Sequence, residues 1–266
     1  MSEPVRVGSV LAAREGFESQ PATCGCGETF TQSRQQREGR APGLWFPPQC
    51  LDCTAKDSRA AEAANVAARA SRCLAELAPP PLYRDATLDN LEPHGDDANK
   101  SRLSRLAILG RRYLTDWPYP AQQVLVFIGG PGTGKGHLAW SVAKGVAALG
   151  GSVRVAKLAS VIRDLRDAWR RDDGPTEEAR LKVWRNLDLL VLDEVSRHAF
   201  YGEPMRHLYD LLDYRLEWVR PTIITTNETD AGLSEILGPA LMDRLVGAGG
   251  LVDFGAVSYR RRPRGA

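Results

Sequence analysis

Four stretches of this 266-residue chain hold residue types whose spacing suits chemistry. The first is GGPGTGKGHLAW, Gly129 to Trp140, with the G-x-x-x-x-G-K spacing of a phosphate-binding loop. Gly129, Gly132 and Gly134 let the backbone turn tightly and aim N–H groups at phosphate oxygens, and the helix that follows adds its partial positive charge. Lys135 would reach the β- and γ-phosphates of a nucleotide. Gly136 departs from the pattern, because that residue is usually Ser or Thr, whose hydroxyl ligates the nucleotide's Mg²⁺. Mg²⁺ commonly retains several waters, and one can fill the position. The expectation is a site that binds ATP–Mg²⁺ and turns over slowly, in which Gly136→Thr tightens Mg²⁺ dependence or raises the rate. His137 reads as packing beside the loop.

The second stretch, DLLVLDEV (188–195), puts Asp193 at the carboxyl end of a buried strand, where open α/β sheets bind ligands. Asp193 would hold Mg²⁺ directly or through water, beside the phosphate loop if the two strands are neighbours. Glu194 is placed to polarise an attacking water. The bland reading is a solubilising acidic pair. In the third stretch, PTIITTNET (221–229), an apolar strand ends on Thr225, Thr226 and Asn227. Either Asn227 points at the γ-phosphate or the water, or it caps a helix over 231–236. The threonines read as satisfied turn residues.

The fourth is C-x-C-x₂₃-C-x₂-C, formed by Cys24, Cys26, Cys50 and Cys53. CLDC has the usual knuckle spacing. CGC is one residue shorter, with Gly25 and Gly27 on either side of Cys26 to permit the sharper turn. Four thiolates close a structural Zn²⁺ site, which would supply the folding energy that a segment poor in apolar residues lacks. The other reading is free thiols in a disordered arm. Cys73 stands alone in an Ala-rich stretch and has no assigned role.

These residues need elements to position them. VLVFIG (124–129), DLLVLDE (188–194) and PTIITTN (221–227) read as buried parallel strands, and 153–156 as a shorter one. Helices are expected over 135–149, 158–171 and 203–219. Strands alternating with helices define an α/β domain with a mainly parallel sheet. Upstream, residues 57–78 read as an Ala-rich helix ended by PPP at 79–81. The division is therefore a zinc-binding module at 1–56, a helical linker at 57–81 and an ATPase domain at 82–266.

Hydrophobic content of 43% and charged content of 26% are ordinary for a soluble domain. No apolar run approaches a membrane span, and the polar start MSEPVRVGSV does not resemble a signal peptide, so a cytoplasmic protein without membrane contact is expected. A net charge of +2 does not by itself imply nucleic acid. Arg260, Arg261, Arg262 and Arg264 near the end are either a phosphate contact or a solvated terminus.

Together GPGTGKGHLA, DLLVLDEV, RPTIITTNET, LGPALMDRL and the late SYR resemble the DnaC/IstB group of AAA+ ATPases, the additional-strand type of P-loop NTPase. PPPLYRDATLDNL is similar to the segment that leads into that domain. The resemblance covers Leu82 to Arg260. It implies that Gly129, Gly130, Pro131, Gly132, Thr133, Gly134, Lys135, Gly136 and His137 line the nucleotide site as Walker A. Asp193 and Glu194 would be Walker B, and Asn227 sensor 1. It implies that Arg244 is an arginine finger entering a neighbouring subunit's site, hence a self-oligomer. Such fingers are worth about 10³–10⁵ in rate in GTPases. A surface salt bridge with Asp243 or another acid is the plain reading of Arg244. Arg260 would be a sensor-2-like contact, without a full helical lid.

What the resemblance implies about function is an ATP-regulated helicase loader acting on a DnaB-type replicative helicase and on single-stranded DNA, with helicase docking in the N-terminal module. The implied cofactors are ATP, Mg²⁺ and Zn²⁺. Arg163, Arg166 and Arg170 share one face of the helix KLASVIRDLRDAWRRDD, with Arg171 and Trp169 beside them. That face either tracks single-stranded DNA or is an ordinary charged surface, since Asp164 and Asp167 intervene. Two other readings stand: a transposition helper of the same fold, and a non-hydrolysing ATP-switch adaptor with a zinc module.

Overall fold

The computed structural model describes residues 17–35, 44–169, 177–196 and 204–261. Arg170, Arg171, Arg262 and Arg264 lie outside the described residues. The chain divides into two compact units, Met1–Ala67 and Ala68–Ala266.

The first unit is built on an antiparallel hairpin of β1 (Phe17–Thr23) and β2 (Thr29–Gln35), paired from Phe17↔Gln35 to Thr23↔Thr29. Its turn is closed by Cys24 N–H donating to the Glu28 carbonyl and Gly27 N–H donating to that of Cys24, both at 2.8 Å. The helix expected from residue 57 begins earlier: α1 is Leu51–Leu77 and spans the division between the units. LDCTAK holds a single alanine, Ala55, against the many that mark the rest of the helix, which is why composition missed it. One helical turn separates Cys50 from Cys53, so the helix start itself presents this pair.

In the second unit α2 (Asp97–Thr115) precedes β3 (Val124–Ile128) and α3 (Lys135–Ala148). Then come β4 (Val153–Lys157), α4 (Leu158–Trp169), α5 (Glu177–Asn186), β5 (Leu189–Asp193) and α6 (Pro204–Glu217). β6 (Thr222–Thr226), α7 (Asp230–Leu237), α8 (Pro239–Gly247) and β7 (Leu251–Asp253) complete the unit. The sheet order is β4-β5-β6-β3-β7, and every pairing is parallel.

Side chains alternate across the sheet, as strand geometry requires. Val124 and Val126 join Leu190, Leu192 and Ile224 in one core layer, capped by α4 to α8. Leu125 and Phe127 join Leu189, Val191 and Ile223 in the other, against α2 and α3. Burial on both faces accounts for the continuous apolar runs of β3, β5 and β6. Arg215 on α6 is 1% exposed and donates to the carbonyls of Trp184, Arg185, Leu187 and Pro221 and to the Thr222 hydroxyl. It locks α5, α6 and β6 together.

Candidate nucleotide site and metal centre

The turn after β3 folds as a phosphate cradle. Gly132 and Gly134 have φ of 80° and 101°, left-handed values that suit glycine. Thr133 is buried and donates its hydroxyl to the Gly130 carbonyl at 2.9 Å. Lys135 opens α3 and is 7% exposed. Its Nζ donates to the carbonyls of Gly129 and Gly130, each at 2.7 Å, and to Asn227 Oδ1 at 2.8 Å. These are the three hydrogens an ammonium has, and all are held at the mouth of the cradle. Burial lowers the Lys135 pKa to about 8, with Asp193 opposing and Arg260 reinforcing the shift.

β3 and β5 are not neighbours. β6 lies between them and carries Asn227 just past its end, so the asparagine stands between the loop and the acidic pair. Asn227 does not cap the next helix, because Thr229 does so by accepting from Gly232 N–H at 3.1 Å. The threonines are not turn residues. Thr225 lies in β6, donates its hydroxyl to Asp193 Oδ1 at 2.5 Å and accepts from Glu194 N–H at 3.1 Å. Thr226 donates to the Val195 carbonyl at 2.6 Å. The end of β5 is thereby fixed from the strand beside it. Glu194 has φ 56°, a strained value for a non-glycine residue and one that such sites tolerate. Its carboxylate pairs with Lys157 Nζ at 2.7 Å and raises the Lys157 pKa.

Past β7 the chain returns over the loop. Tyr259 N–H donates to the Gly132 carbonyl at 2.9 Å, and a Cβ on Gly132 would stand 3.5 Å from Arg260 Cγ. Arg260 is thus brought to the loop by a short turn, Tyr259–Arg261. His137 packs elsewhere, with Nε2 2.9 Å from the Thr87 carbonyl. Arg244 on α8 pairs with Asp213 on α6 and not with Asp243. On α4, Asp164 accepts from Arg180 and from Trp184 Nε1, which joins α4 to α5, while Arg163 is exposed.

Tyr83 was not foreseen. It stacks on Trp140 with ring centroids 5.8 Å apart and 17° between planes, and its hydroxyl lies over Gly136. A Cβ on Gly136 would come 2.5 Å from that oxygen. Any side chain introduced at 136 therefore meets Tyr83 first. The one sequence signal was the absent hydroxyl at 136 itself.

In the first unit the four sulfurs of Cys24, Cys26, Cys50 and Cys53 lie within 4.8 Å of one another, with Cys26 Sγ to Cys50 Sγ at 3.5 Å. Tetrahedral Zn²⁺ with about 2.3 Å bonds needs sulfurs about 3.8 Å apart. The set fits such an ion. Backbone N–H groups of Cys26 and Cys50 lower the Cys24 thiol to about 6, toward the thiolate that metal binding uses.

A parallel sheet with a glycine loop after β3, an acidic pair ending β5 and an asparagine ending the strand between them defines an AAA+ P-loop nucleotide-binding protein. Residues 62–266 match the family described as IstB-like ATP binding protein, and the chain belongs to that family. It is 29% identical over 209 residues to the replicative helicase loader DnaC of Escherichia coli strain K12, covering 78% of this chain and 82% of that one. The DnaC of Buchnera aphidicola subsp. Schizaphis graminum is 25% identical over 202 residues, 76% of this chain and 80% of that one. The crystal structure of the DnaC helicase loader is 25% identical and gives a TM-score of 0.54 over 65% of this chain and 99% of that one. DnaI shares the fold at 18% identity, with a TM-score of 0.55 over 70% of this chain and 95% of that one. Among the described residues, no helix is long and apolar enough to cross a membrane.

Proposed function

We propose that this protein is an ATP-dependent loader of a replicative DNA helicase, which binds single-stranded DNA and delivers or opens the helicase ring in the cytoplasm. The carrying observation is its similarity to the helicase loader DnaC across 82% of that protein's length. Bound ATP–Mg²⁺ supplies the transferable phosphoryl group and the metal charge that neutralises it. The loop N–H groups bind phosphate, and Lys135 exchanges its carbonyl partners for phosphate oxygens. Asp193, oriented by the Thr225 hydroxyl, would hold the nucleotide's Mg²⁺. Glu194 takes a proton from water that Asn227 helps to orient. Arg244 leaves Asp213 to enter a neighbouring copy's site, and Arg260 contacts phosphate from the chain's own side. The basic face read from the sequence at Arg163, Arg166 and Arg170 is the proposed contact to single-stranded DNA, and the zinc module at 1–56 docks the helicase through the linker at 57–81.

Binding of the full chain to the replicative helicase of its own cell is the test, together with ATP turnover measured with and without single-stranded DNA. A stable complex whose ATP turnover rises with single-stranded DNA is expected. Duplex binding without helicase binding would indicate a transposition helper. Nucleotide binding with no turnover, unaffected by Glu194→Gln, would indicate the ATP-switch adaptor.

A further inference from the structure

Resting on the nucleotide-site reading, we propose that the Tyr83 phenol supplies, from outside the loop, the hydroxyl that Gly136 withholds. Its oxygen, at the start of the helix that the loop opens, would bond the hydrated Mg²⁺ of a bound nucleotide. Geometry carries this. Around the Cβ position of Gly136 the nearest atoms are the Tyr83 hydroxyl oxygen at 2.5 Å, Cζ at 3.0 Å and Cε1 at 3.3 Å. A Ser or Thr side chain would need that same space, so the phenol oxygen lies on the side of Gly136 into which a loop side chain would extend. Glycine at the first helical turn is less favourable than alanine. Here it has a use, since any Cβ would push the tyrosine out.

The ring is held in place independently of the loop. It stacks on Trp140, and its backbone sits in the turn Pro81–Tyr83, which follows Pro80. Lys144 Nζ on α3 donates to the Tyr83 carbonyl at 3.3 Å and to that of Arg84 at 2.8 Å, fixing the segment to the helix that the loop opens. Charged residues of the proposed site act on the phenol electrostatically. Burial first, then the negative charges of Asp193 and Glu194, raise the Tyr83 pKa against the opposing Arg260 and Lys157. The phenol therefore stays protonated at neutral pH, a hydroxyl like the one it replaces.

Titration of the fluorescent N-methylanthraniloyl derivative of ATP against the full chain, at increasing Mg²⁺, tests the assignment without needing turnover. Tyr83→Phe keeps the ring and its stacking and removes only the oxygen. It should raise the Mg²⁺ concentration for half-maximal binding about tenfold, the worth of one hydrogen bond to a charged group. Tyr83→Ala should do the same. The double variant Tyr83→Ala/Gly136→Thr, which returns a hydroxyl from the loop into the vacated space, should bring the Mg²⁺ dependence back toward that of the unaltered chain. Unchanged Mg²⁺ dependence in Tyr83→Phe, with binding still abolished by Lys135→Ala, would overturn the role of Tyr83 while leaving the nucleotide site standing. If the unaltered chain does not bind the probe at all, the nucleotide reading fails and this proposal fails with it.

Discussion

Lys135 Nζ lies 2.8 Å from Asn227 Oδ1, so the lysine that ends the glycine loop is tied to the asparagine at the end of the neighbouring strand β6. The ammonium is satisfied by neutral acceptors and buried, and burial holds its pKa at about 8 against an ordinary 10.5. The unfolded chain therefore binds more protons than the folded one between these values, so the nucleotide-free protein gains stability as pH rises from about 8 to about 10.5. A polyphosphate favours the charged form and reverses the shift. Nucleotide binding should take up a fraction of a proton at about pH 8.5 and weaken above it. Calorimetry in two buffers of different ionisation enthalpy measures that uptake, and Lys135→Arg should abolish it.

Lys157 and Glu194 meet at 2.7 Å in a pair whose side chains are 61% and 57% exposed. An exposed pair of this kind is worth under about 1 kcal/mol, a modest hold on the carboxylate that the proposed hydrolysis needs free. Lys157→Ala should raise basal ATP turnover by up to about fivefold, the rate equivalent of 1 kcal/mol. Glu194→Gln should lower turnover by about 10²-fold or more and leave nucleotide affinity nearly unchanged. Steady-state phosphate release, read beside fluorescent-nucleotide titrations, separates the two effects.

Arg215 makes the fold of the second unit depend on one buried cation. Arg215→Met fits the space roughly but leaves the carbonyls of Trp184, Arg185, Leu187 and Pro221 without their donor. The expected loss is about 3 kcal/mol, or roughly 6–12 °C in a unit of this size. Thermal melting followed by circular dichroism checks it, and Arg215→Lys should recover only part of the loss because an ammonium cannot reach all these acceptors.

The strands that carry the site were legible because burial on both faces leaves runs such as VLVFI and LLVLD without polar breaks. α2 was not, since Asn, Lys, Ser and Arg dilute the stripe of Leu103, Leu106 and Tyr113 that faces the core. β7 has three residues, too few to show a period. Of the candidate site, Lys135 stood out as the loop lysine that opens a helix, and Asp193, Glu194 and Asn227 as polar residues at strand ends. The contacts of Thr225 and Tyr83 were not. Thr225 meets Asp193 only because β6 pairs with β5, and Tyr83 meets Gly136 only because the chain before α2 folds back along α3. Local pattern does not encode such pairings.

For the first unit, metal analysis of the purified chain should find one zinc per molecule. Cys50 is 2% exposed and precedes α1, so Cys50→Ser removes a ligand at the point where hairpin and helix converge on the four sulfurs. Zinc content should fall below one per chain. A strong chelator should erase the melting transition of this unit, whose apolar core among the described residues is small, while that of the second unit moves by less than about 2 °C.

Arg244 and Asp213 form an exposed pair between α8 and α6, with side chains 47% and 51% accessible. Separating them costs under about 1 kcal/mol, so the pair can hold the guanidinium in the isolated chain without preventing its transfer to a neighbour. If Arg244 acts in another copy's site, two inactive variants should complement each other. Arg244→Ala lacks the finger but keeps Glu194, while Glu194→Gln lacks the base but keeps the finger. Mixed in equal amounts, they should regain about a quarter of the unaltered turnover in a ring assembled at random, since a productive site needs an intact base on one side and an intact finger on the other. Turnover should also rise more steeply than in proportion to protein concentration. Asp213→Ala, which frees the guanidinium, should shift that rise to lower concentration. Mixtures no more active than the single variants would return Arg244 to the role of a surface ion pair.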